Sequence, residues 1–452
     1  MRRNILKKAL LILIAGIILF SIPAQAISPE EIEADIHYMI ELLEEVHPNI
    51  YHTTSEEVVE SFQRDLIAKL YSKDEYTLQE AYQKLASLIA LFRDGHTQVF
   101  FPQDMWNDYL KAGGTIFPLR VELKDEVIIL ENILPGEKLP EGSQLLAING
   151  IPAEKIKNDM LAVLSYESKA FGARLMSNNF SRLLWALFDI EDPFEIEYRA
   201  PGEREKTITL AGLQEDQLPA RTAEQPYKLD FISAETALLV INSVPGDKNE
   251  DYFNFLQDSF KEIKEQEINH LLIDMRNNGG GSTRQFNEIF HYLSDTPYRS
   301  FSRVDTRYSR PVLGRHQPWH SQIYYRFLNF IRGDDIYKSE PGLTDPPENE
   351  YRFTGQTYLL VGPATFSAAA DFAALCQDYE AALIVGQETG GLPTSYGDSF
   401  FFELPNTSLQ GRSSYKYFVR PGGQETGRGV IPDQEIDINK DYSEILATIK
   451  SK

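Results

Sequence analysis

Apolar residues recur at helical spacing near the start of the chain, where Ile32, Ile36, Met39, Ile40 and Leu43 fall on one face. Ser28-Pro29-Glu30-Glu31 reads as the start of this helix, with Ser as N-cap and Pro in the first turn, and His47-Pro48 as its end. The same periodicity predicts helices over 55–70 and 78–92. A turn, Arg93-Asp94-Gly95-His96-Thr97, leads from there into an extended stretch over 98–101. Residues 113–212 have a different texture. Short apolar runs at 117–121, 127–130, 144–150 and 194–199 predict strands, with one helical stretch over 153–187. Beyond 227, strands alternate with helices, the mark of an α/β layer fold. Strands are expected at 237–241, 271–275, 356–361, 382–385 and 400–404, and helices at 251–265, 283–293 and 367–377. The stretch 296–350 is long, aromatic and weakly patterned, and reads as an insertion over the surface.

Residues 1–26 have the pattern of a secretory signal peptide. Arg2, Arg3, Lys7 and Lys8 precede an apolar run over 9–20, Pro23 breaks it, and Ala24-Gln25-Ala26 fits a cleavage site. The run is short against the ~20 residues of a membrane span. The expectation is an extracytoplasmic protein, periplasmic or secreted, with no stable membrane insertion after cleavage.

Composition narrows the function. The 452 residues suggest two to three domains, and 42% hydrophobic with 25% charged residues is an ordinary globular balance. With 44 Lys+Arg against 67 Asp+Glu, the net charge of −23 argues against a nucleic-acid partner. The single cysteine, Cys376, excludes an internal disulfide framework and a Cys-rich zinc site, and the eight histidines lack metal-ligand spacing. No G-x-x-x-x-G-K-[ST], H-E-x-x-H or G-x-S-x-G occurs. No metal and no organic cofactor is therefore expected.

Three segments carry chemistry. In the first, Leu271–Met275 runs through Arg276-Asn277-Asn278 into Gly279-Gly280-Gly281 and a helix start. Glycines let the backbone turn its N–H groups into open space, where they can hold a phosphate or a developing oxyanion. A tight turn for close helix–strand packing explains the same spacing. In the second, a strand enters Gly362-Pro363-Ala364-Thr365-Phe366-Ser367-Ala368-Ala369-Ala370. Ser367 stands where a helix begins, as N-cap, as nucleophile, or as both. The third is Asp94-Gly95-His96-Thr97, whose histidine alone has no special standing.

Taken in order, these segments resemble the tail-specific, or C-terminal processing, serine peptidases, including the tricorn core. Those peptidases carry D-x-H-T, usually a PDZ domain, I-D-x-R-x-N-x-G-G, a T-x-S-A-A/S-E-type turn, G-x-x-T-x-G and G-V-x-P-D. The counterparts here are Asp94–Thr97, Ile273–Gly281, Thr365–Asp371, Gly386–Gly391 and Gly429–Asp433, and the strand-turn segment 140–152 resembles part of a PDZ domain. The resemblance implies an α/β fold with a ClpP/crotonase-like core over 216–452, a PDZ-like domain with a helical insertion over 111–215, and an N-terminal helical region over 27–110. It implies Ser367 as nucleophile and the backbone N–H groups of Gly280 and Ala368 as oxyanion hole. Gly279 and Gly281 would lie along the substrate, and Arg276 would either reach the same site or, more in keeping with its place beside Asp274, form a buried pair with that carboxylate.

One branch of these peptidases uses a lysine in a T-x-G-K-G turn. This chain reads Thr389-Gly390-Gly391-Leu392-Pro393, with no lysine between Lys338 and Lys416, so His96 is expected to be the base, as in the tricorn-like branch. In that branch a serine precedes the histidine and links it to a distal glutamate. Here Gly95 stands in that place, and Glu425 is the candidate orienter. Asp371 also departs from the usual Glu near the nucleophile.

The implied activity is hydrolysis of peptide bonds in a peptide or unfolded-protein substrate. The alternatives are a non-catalytic peptide- or small-ligand-binding member of the fold, or a serine esterase. Cleavage specificity and oligomeric state are not legible. Residues 296–333 hold seven arginines against the single acid Asp305. They either pair with the acidic surface around them or wall a groove for carboxylate-bearing peptides.

Overall fold

The computed structural model describes residues 26–133, 139–218, 225–246 and 249–450. The expected signal peptide lies outside these residues except for its last position. Among the described residues, no helix is long and apolar enough to cross a membrane.

The chain builds three sheets with helices packed around them, a mixed α/β structure. The central sheet has six strands in the order Gln434–Glu435, Leu383–Gly386, Gln356–Val361, His270–Asp274, Thr236–Ile241, Tyr227–Ser233. All neighbours are parallel except the last pair, which is antiparallel. Strand Thr236–Ile241 is buried at every position, as expected of a strand covered on both faces. Helices Glu250–Glu265, Thr283–His291 and Ala368–Asp378 bury Leu256, Phe260, Phe286, Ile289, Phe290 and Phe372 against one face of this sheet. Helix Tyr442–Lys450 places Ile445 and Ile449 on the other.

A second sheet is antiparallel and formed by Leu119–Lys124, Val127–Asn132, Ser143–Ile148, Phe194–Arg199 and Glu205–Leu210. The single helix expected over 153–187 is in fact three: Ala153–Ala162, Lys169–Asn178 and Phe180–Phe188. The second begins where Ser168 Oγ accepts the Phe171 N–H, and the third begins after Asn179. Ser and Asn side chains bond to nearby backbone and so favour such helix ends.

The third sheet joins distant parts of the chain. Gln410–Val419 pairs with Ser395–Glu403, with Gln98–Val99 and with Arg303–Arg307, which in turn pairs with Ile336–Ser339. The stretch expected to be weakly patterned therefore supplies two strands and the helices Arg310–His316 and Trp319–Arg332. Helix Trp319–Arg332 buries none of its residues, and Trp319 and Phe330 are 72% and 86% exposed. Its Ile323, Phe327, Phe330 and Ile331 recur at helical spacing, but the face they form is exposed rather than buried. The N-terminal helices are clasped to this part of the fold by the buried Asp35. Its carboxylate accepts four bonds, from the backbone and side chains of Asn406 and Thr407.

Candidate active site

Strands His270–Asp274 and Gln356–Val361 are neighbours in the parallel sheet, and their C-terminal ends feed the two glycine- and serine-bearing turns. The carboxyl ends of strands in an open α/β sheet are its usual ligand site. Thr365 ties the second turn to the first, donating from Oγ1 to the Met275 carbonyl at 2.9 Å. The Phe366 N–H donates to the Asn278 carbonyl at 3.0 Å. Asn278 is buried and anchored through Nδ2 to the Ile241 carbonyl at 2.8 Å. The turn that contains Thr389 closes over the same place. The Gly391 N–H donates to the Thr365 carbonyl, Thr389 Oγ1 to the Gly391 carbonyl, and the Val430 N–H to Thr389 Oγ1. Four of the five ordered motifs thus interlock through backbone and threonine hydrogen bonds.

Ser367 sits at the head of helix Ala368–Asp378 with φ 53° and ψ −135°. Positive φ is costly for a residue with a Cβ and persists only where the surroundings impose it, typically at functional sites. Here they impose it from both sides. Gly280, at φ +103°, lies so close that a Cβ on it would stand 2.7 Å from Ser367 Cβ and 2.8 Å from the Phe366 carbonyl oxygen. The Gly280 N–H donates to Asn278 Oδ1 at 2.8 Å. The Ala368 N–H is in the first turn of its helix, where backbone donors lack intrahelical acceptors.

His96 arrives from the far end of the sequence. Its Nε2 lies 2.9 Å from Ser367 Oγ. The turn that carries it is fixed by Asp94, 1% exposed at its side chain. Asp94 Oδ1 accepts the His96 backbone N–H at 2.9 Å, and Oδ2 accepts from Ser414 Oγ at 2.6 Å and Thr97 Oγ1 at 2.5 Å. His47 Nδ1 accepts the Asn49 N–H, so its proton is on Nε2, which donates to Asp94 Oδ2 at 3.2 Å. Burial alone would raise the Asp94 carboxyl. The His47 hydrogen bond, the His96 charge and the Ser414 bond outweigh it and hold the group below the usual carboxylate range.

The other carboxylate beside His96 is Glu167, a residue that sequence reasoning passed over. Its Oε1 is 3.7 Å from His96 Nδ1, and its side chain is 7% exposed. Burial raises the Glu167 carboxyl, and the Asp94 charge adds to this against the opposing His96 and the Leu392 N–H. Asp371, one turn into helix Ala368–Asp378, is also raised well above its ordinary value, by burial first and then by Glu167 and Asp398. The one signal for Glu167 in the sequence was the run Ser165-Tyr166-Glu167-Ser168, whose serines interrupt an otherwise helical pattern.

Gly95 explains the absent serine before the histidine. A Cβ there would stand 2.8 Å from the Phe366 ring and 3.6 Å from Glu167 Oε1. Glu425, expected as orienter, is turned elsewhere. It pairs with Arg303 at 3.3 Å and is 48% exposed, because the arginine offers it a full charge at the surface. Arg276 is likewise not free for substrate. Its guanidinium pairs with Asp274 at 2.9 Å and donates to the Ile438 carbonyl. Gly279 and Gly281 flank Gly280 at the open edge of the turn. Most arginines of 296–333 have local partners: Arg303 with Asp305 and Glu425, Arg307 with Asp335 and the His47 carbonyl, Arg315 with the Phe401 carbonyl, Arg332 with Asp334.

Among the described residues, Asp94, His96 and Glu167 bring one donor atom each within 4.8 Å of one another, the spacing of a metal site. Both Asp94 oxygens already accept hydrogen bonds, however, so the cluster suits proton handling better than metal ligation.

Residues 235–436 match the family model of peptidase family S41. The chain is 23% identical over 373 residues to a carboxyl-terminal-processing protease of Picosynechococcus sp., which covers 80% of this chain and 74% of that protein. It is 22% identical over 372 residues to a tail-specific protease of Haemophilus influenzae, covering 78% of this chain and 45% of the relative. Among solved structures, mature CPAF shares the fold, with a TM-score of 0.67 at 14% identity over 93% of this chain and 96% of CPAF. Mature CPAF complexed with lactacystin gives 0.66, at 14% identity over 93% and 98%. The tail-specific resemblance read from the five motifs is thereby met by these comparisons: residues 235–436 match peptidase family S41, and the chain is a serine-type peptidase.

Proposed function

We propose that the chain is an extracytoplasmic endopeptidase that cleaves peptide bonds with Ser367 as nucleophile and His96 as general base. The observation that carries the reading is the 2.9 Å contact between His96 Nε2 and Ser367 Oγ, at a serine held in positive φ against the glycine turn. A neutral imidazole takes the Ser367 proton on Nε2 while Oγ forms a bond to the scissile carbonyl carbon. The carbonyl oxygen becomes an oxyanion. As the C–N bond breaks, the Nε2 proton passes to the leaving amine, and a water molecule then releases the acyl group by the same steps.

The oxyanion lies within reach of the Ala368 N–H and the glycine turn. Gly280 contributes its N–H by exchanging Asn278 Oδ1 for the oxyanion, a better acceptor because it is charged. The central sheet with its helices fits a ClpP/crotonase-like core over 216–452. The antiparallel sheet of 119–210 fits a PDZ-like unit over 111–215, and helices Pro29–Val46, Glu56–Leu70 and Leu78–Ile89 fit a helical region over 27–110. The apolar leader supports export.

The test is turnover of fluorescein-labelled unfolded casein by the unmodified chain, Ser367→Ala and His96→Ala. Each substitution should lower kcat by roughly 10³ or more with the circular dichroism spectrum unchanged. Fluorophosphonate should label Ser367 in the unmodified chain only. Near-normal turnover by His96→Ala would exclude the histidine as base, and esterolysis without proteolysis would make the enzyme an esterase.

A further inference from the structure

We propose that Glu167, carried by the middle unit and not by the sheet that holds Ser367, is the positioning residue of His96 and accepts the Nδ1 proton of its imidazole. The proposal rests on the reading of Ser367 and His96 as a catalytic pair.

A histidine that takes a proton on Nε2 begins with Nε2 bare, so the proton of the neutral ring resides on Nδ1. His96 Nδ1 is buried and has no hydrogen-bond partner. The nearby acceptors are Glu167 Oε1 at 3.7 Å and Asp94 Oδ1 at 4.0 Å. Asp94 is already occupied, with Oδ1 holding the His96 backbone N–H and Oδ2 shared by His47, Thr97 and Ser414. Glu167 Oε1 is also buried and without a partner, while Oε2 accepts the Leu392 N–H at 3.3 Å. Two orphaned polar atoms of complementary kind thus face each other, less than 1 Å beyond hydrogen-bond distance. Leaving a buried donor or acceptor unpaired is costly, so closing this gap is favourable. Catalytic hydrogen bonds are often long before substrate binds and tighten afterwards.

The approach of Glu167 is built into the docking of the middle unit. It stands in the break between helices Ala153–Ala162 and Lys169–Asn178. Ser168 Oγ donates to the Gly390 carbonyl at 2.9 Å. Phe171 stacks on Phe366 at 4.2 Å between ring centroids, and Phe366 stacks on the His96 ring at 4.8 Å. Arg174 reaches Asn277 Oδ1 at 3.4 Å. These contacts fall on the segments that flank Ser367, so the same docking that brings Glu167 to Nδ1 steadies the nucleophile turn. Gly95 leaves the space through which the carboxylate approaches, since a side chain there would meet Phe366 first.

The groups facing this pair are Asp94, Asp371, His47 and Arg412. Arg412 donates to the Gly95 carbonyl and feels the charges of Asp94 and Glu167. An ionised Glu167 beside Nδ1 favours the imidazolium that forms as His96 takes the Ser367 proton. Removing that charge should move the acid limb of kcat/KM to lower pH.

The experiment compares unmodified enzyme, Glu167→Gln and Glu167→Asp on labelled unfolded casein across pH. Glu167→Gln should lower kcat by roughly 10²–10⁴ with KM within about threefold, and shift the acid limb downward. Glu167→Asp, with the charge on a shorter arm, should recover part of both. A low-field imidazole N–H proton resonance should be present in the unmodified enzyme and absent from Glu167→Gln. Unchanged kcat and acid limb in Glu167→Gln would overturn the proposal, as would identical profiles for the Gln and Asp variants. Should Glu167→Gln lose its fold, absence of the low-field resonance from the unmodified enzyme would overturn it. Failure of the underlying pair is recognised separately, by full activity in Ser367→Ala or His96→Ala.

Discussion

The two sides of the proposed active site, with Ser367 as nucleophile and His96 as base, are built in different ways. The nucleophile side is made of backbone. Adjacent parallel strands deliver Ser367 and the glycine turn, and Thr365 and Asn278 lock the turns together through main-chain bonds. The base side is made of side chains from distant parts of the chain. Asp94 gathers His47, Thr97 and Ser414, residues from the first helix end, the His96 turn and the third sheet. The nucleophile side therefore tolerates little change in shape, and the base side little change in charge or hydrogen bonding.

The largest effect expected from breaking this contrast is at Gly280. A Cβ there would collide with Ser367 Cβ and the Phe366 carbonyl, both under 3.0 Å. Gly280→Ala should lower kcat/KM by roughly 10²–10³, the range seen when an oxyanion donor is lost, while circular dichroism still reports a folded chain. Activity within tenfold of the unmodified enzyme would show that the turn has room to spare.

Next comes Asp94. Asp94→Asn exchanges an acceptor of four hydrogen bonds for an amide with one acceptor oxygen and two donor protons. Hydrogen bonds to a buried charge contribute about 1.5–3 kcal/mol each, and losing them should appear as a lower denaturation midpoint. The sign with pH follows from a depressed carboxyl. The contribution of Asp94 is present above the unfolded value of about 3.9 and is lost as pH falls through the lower folded value. The variant should therefore show a flatter acid limb of stability.

Asp371 tests the opposite sign with a smaller effect. Its folded value is raised, by burial first, so ionisation disfavours the fold. The penalty is absent below about pH 4 and grows as pH rises from there toward the raised value. Asp371→Asn should stabilise the chain by about 1 kcal/mol at neutral pH, with no gain in acid. Thermal midpoints across pH measure it, and equal shifts at all pH values would refute the assignment.

The smallest effect is expected in the basic segment. Arg303 and Arg332 have local partners and are partly exposed. Arg303→Gln and Arg332→Gln should each change stability by less than about 1 kcal/mol. KM for acidic and for amidated peptides should stay within about twofold of the unmodified values. A selective rise for acidic peptides would restore the groove-wall reading.

Legibility followed the same division. Strands 236–241, 270–274 and 356–361 were readable because a buried parallel strand is a continuous apolar run bounded by turn-forming residues. Ser367, His96 and the glycine turn were readable as spaced motifs. Strands Arg303–Arg307 and Ile336–Ser339 were not, because burial along them is mixed and their pairing partner Gln410–Val419 lies far away in sequence. Glu425 was favoured as orienter by its place after the nucleophile, and Glu167 was overlooked inside an apparent helix. Choosing between two carboxylates is a question of distance, which periodicity does not carry.

The sequence by itself determined the α/β alternation, the two turns at the strand ends, the histidine and serine, and the likeness to tail-specific peptidases. Each of these is written in local spacing, where backbone geometry and apolar periodicity act over a few residues. Only the tertiary structure decided which carboxylate stands behind His96, that Gly95 is bare because Phe366 fills the space, and that Glu425 is spoken for. Those outcomes depend on which side chains meet across more than 70 residues of chain, at Glu167 and His96 above all. Packing and desolvation set them, and neither has a period in the sequence.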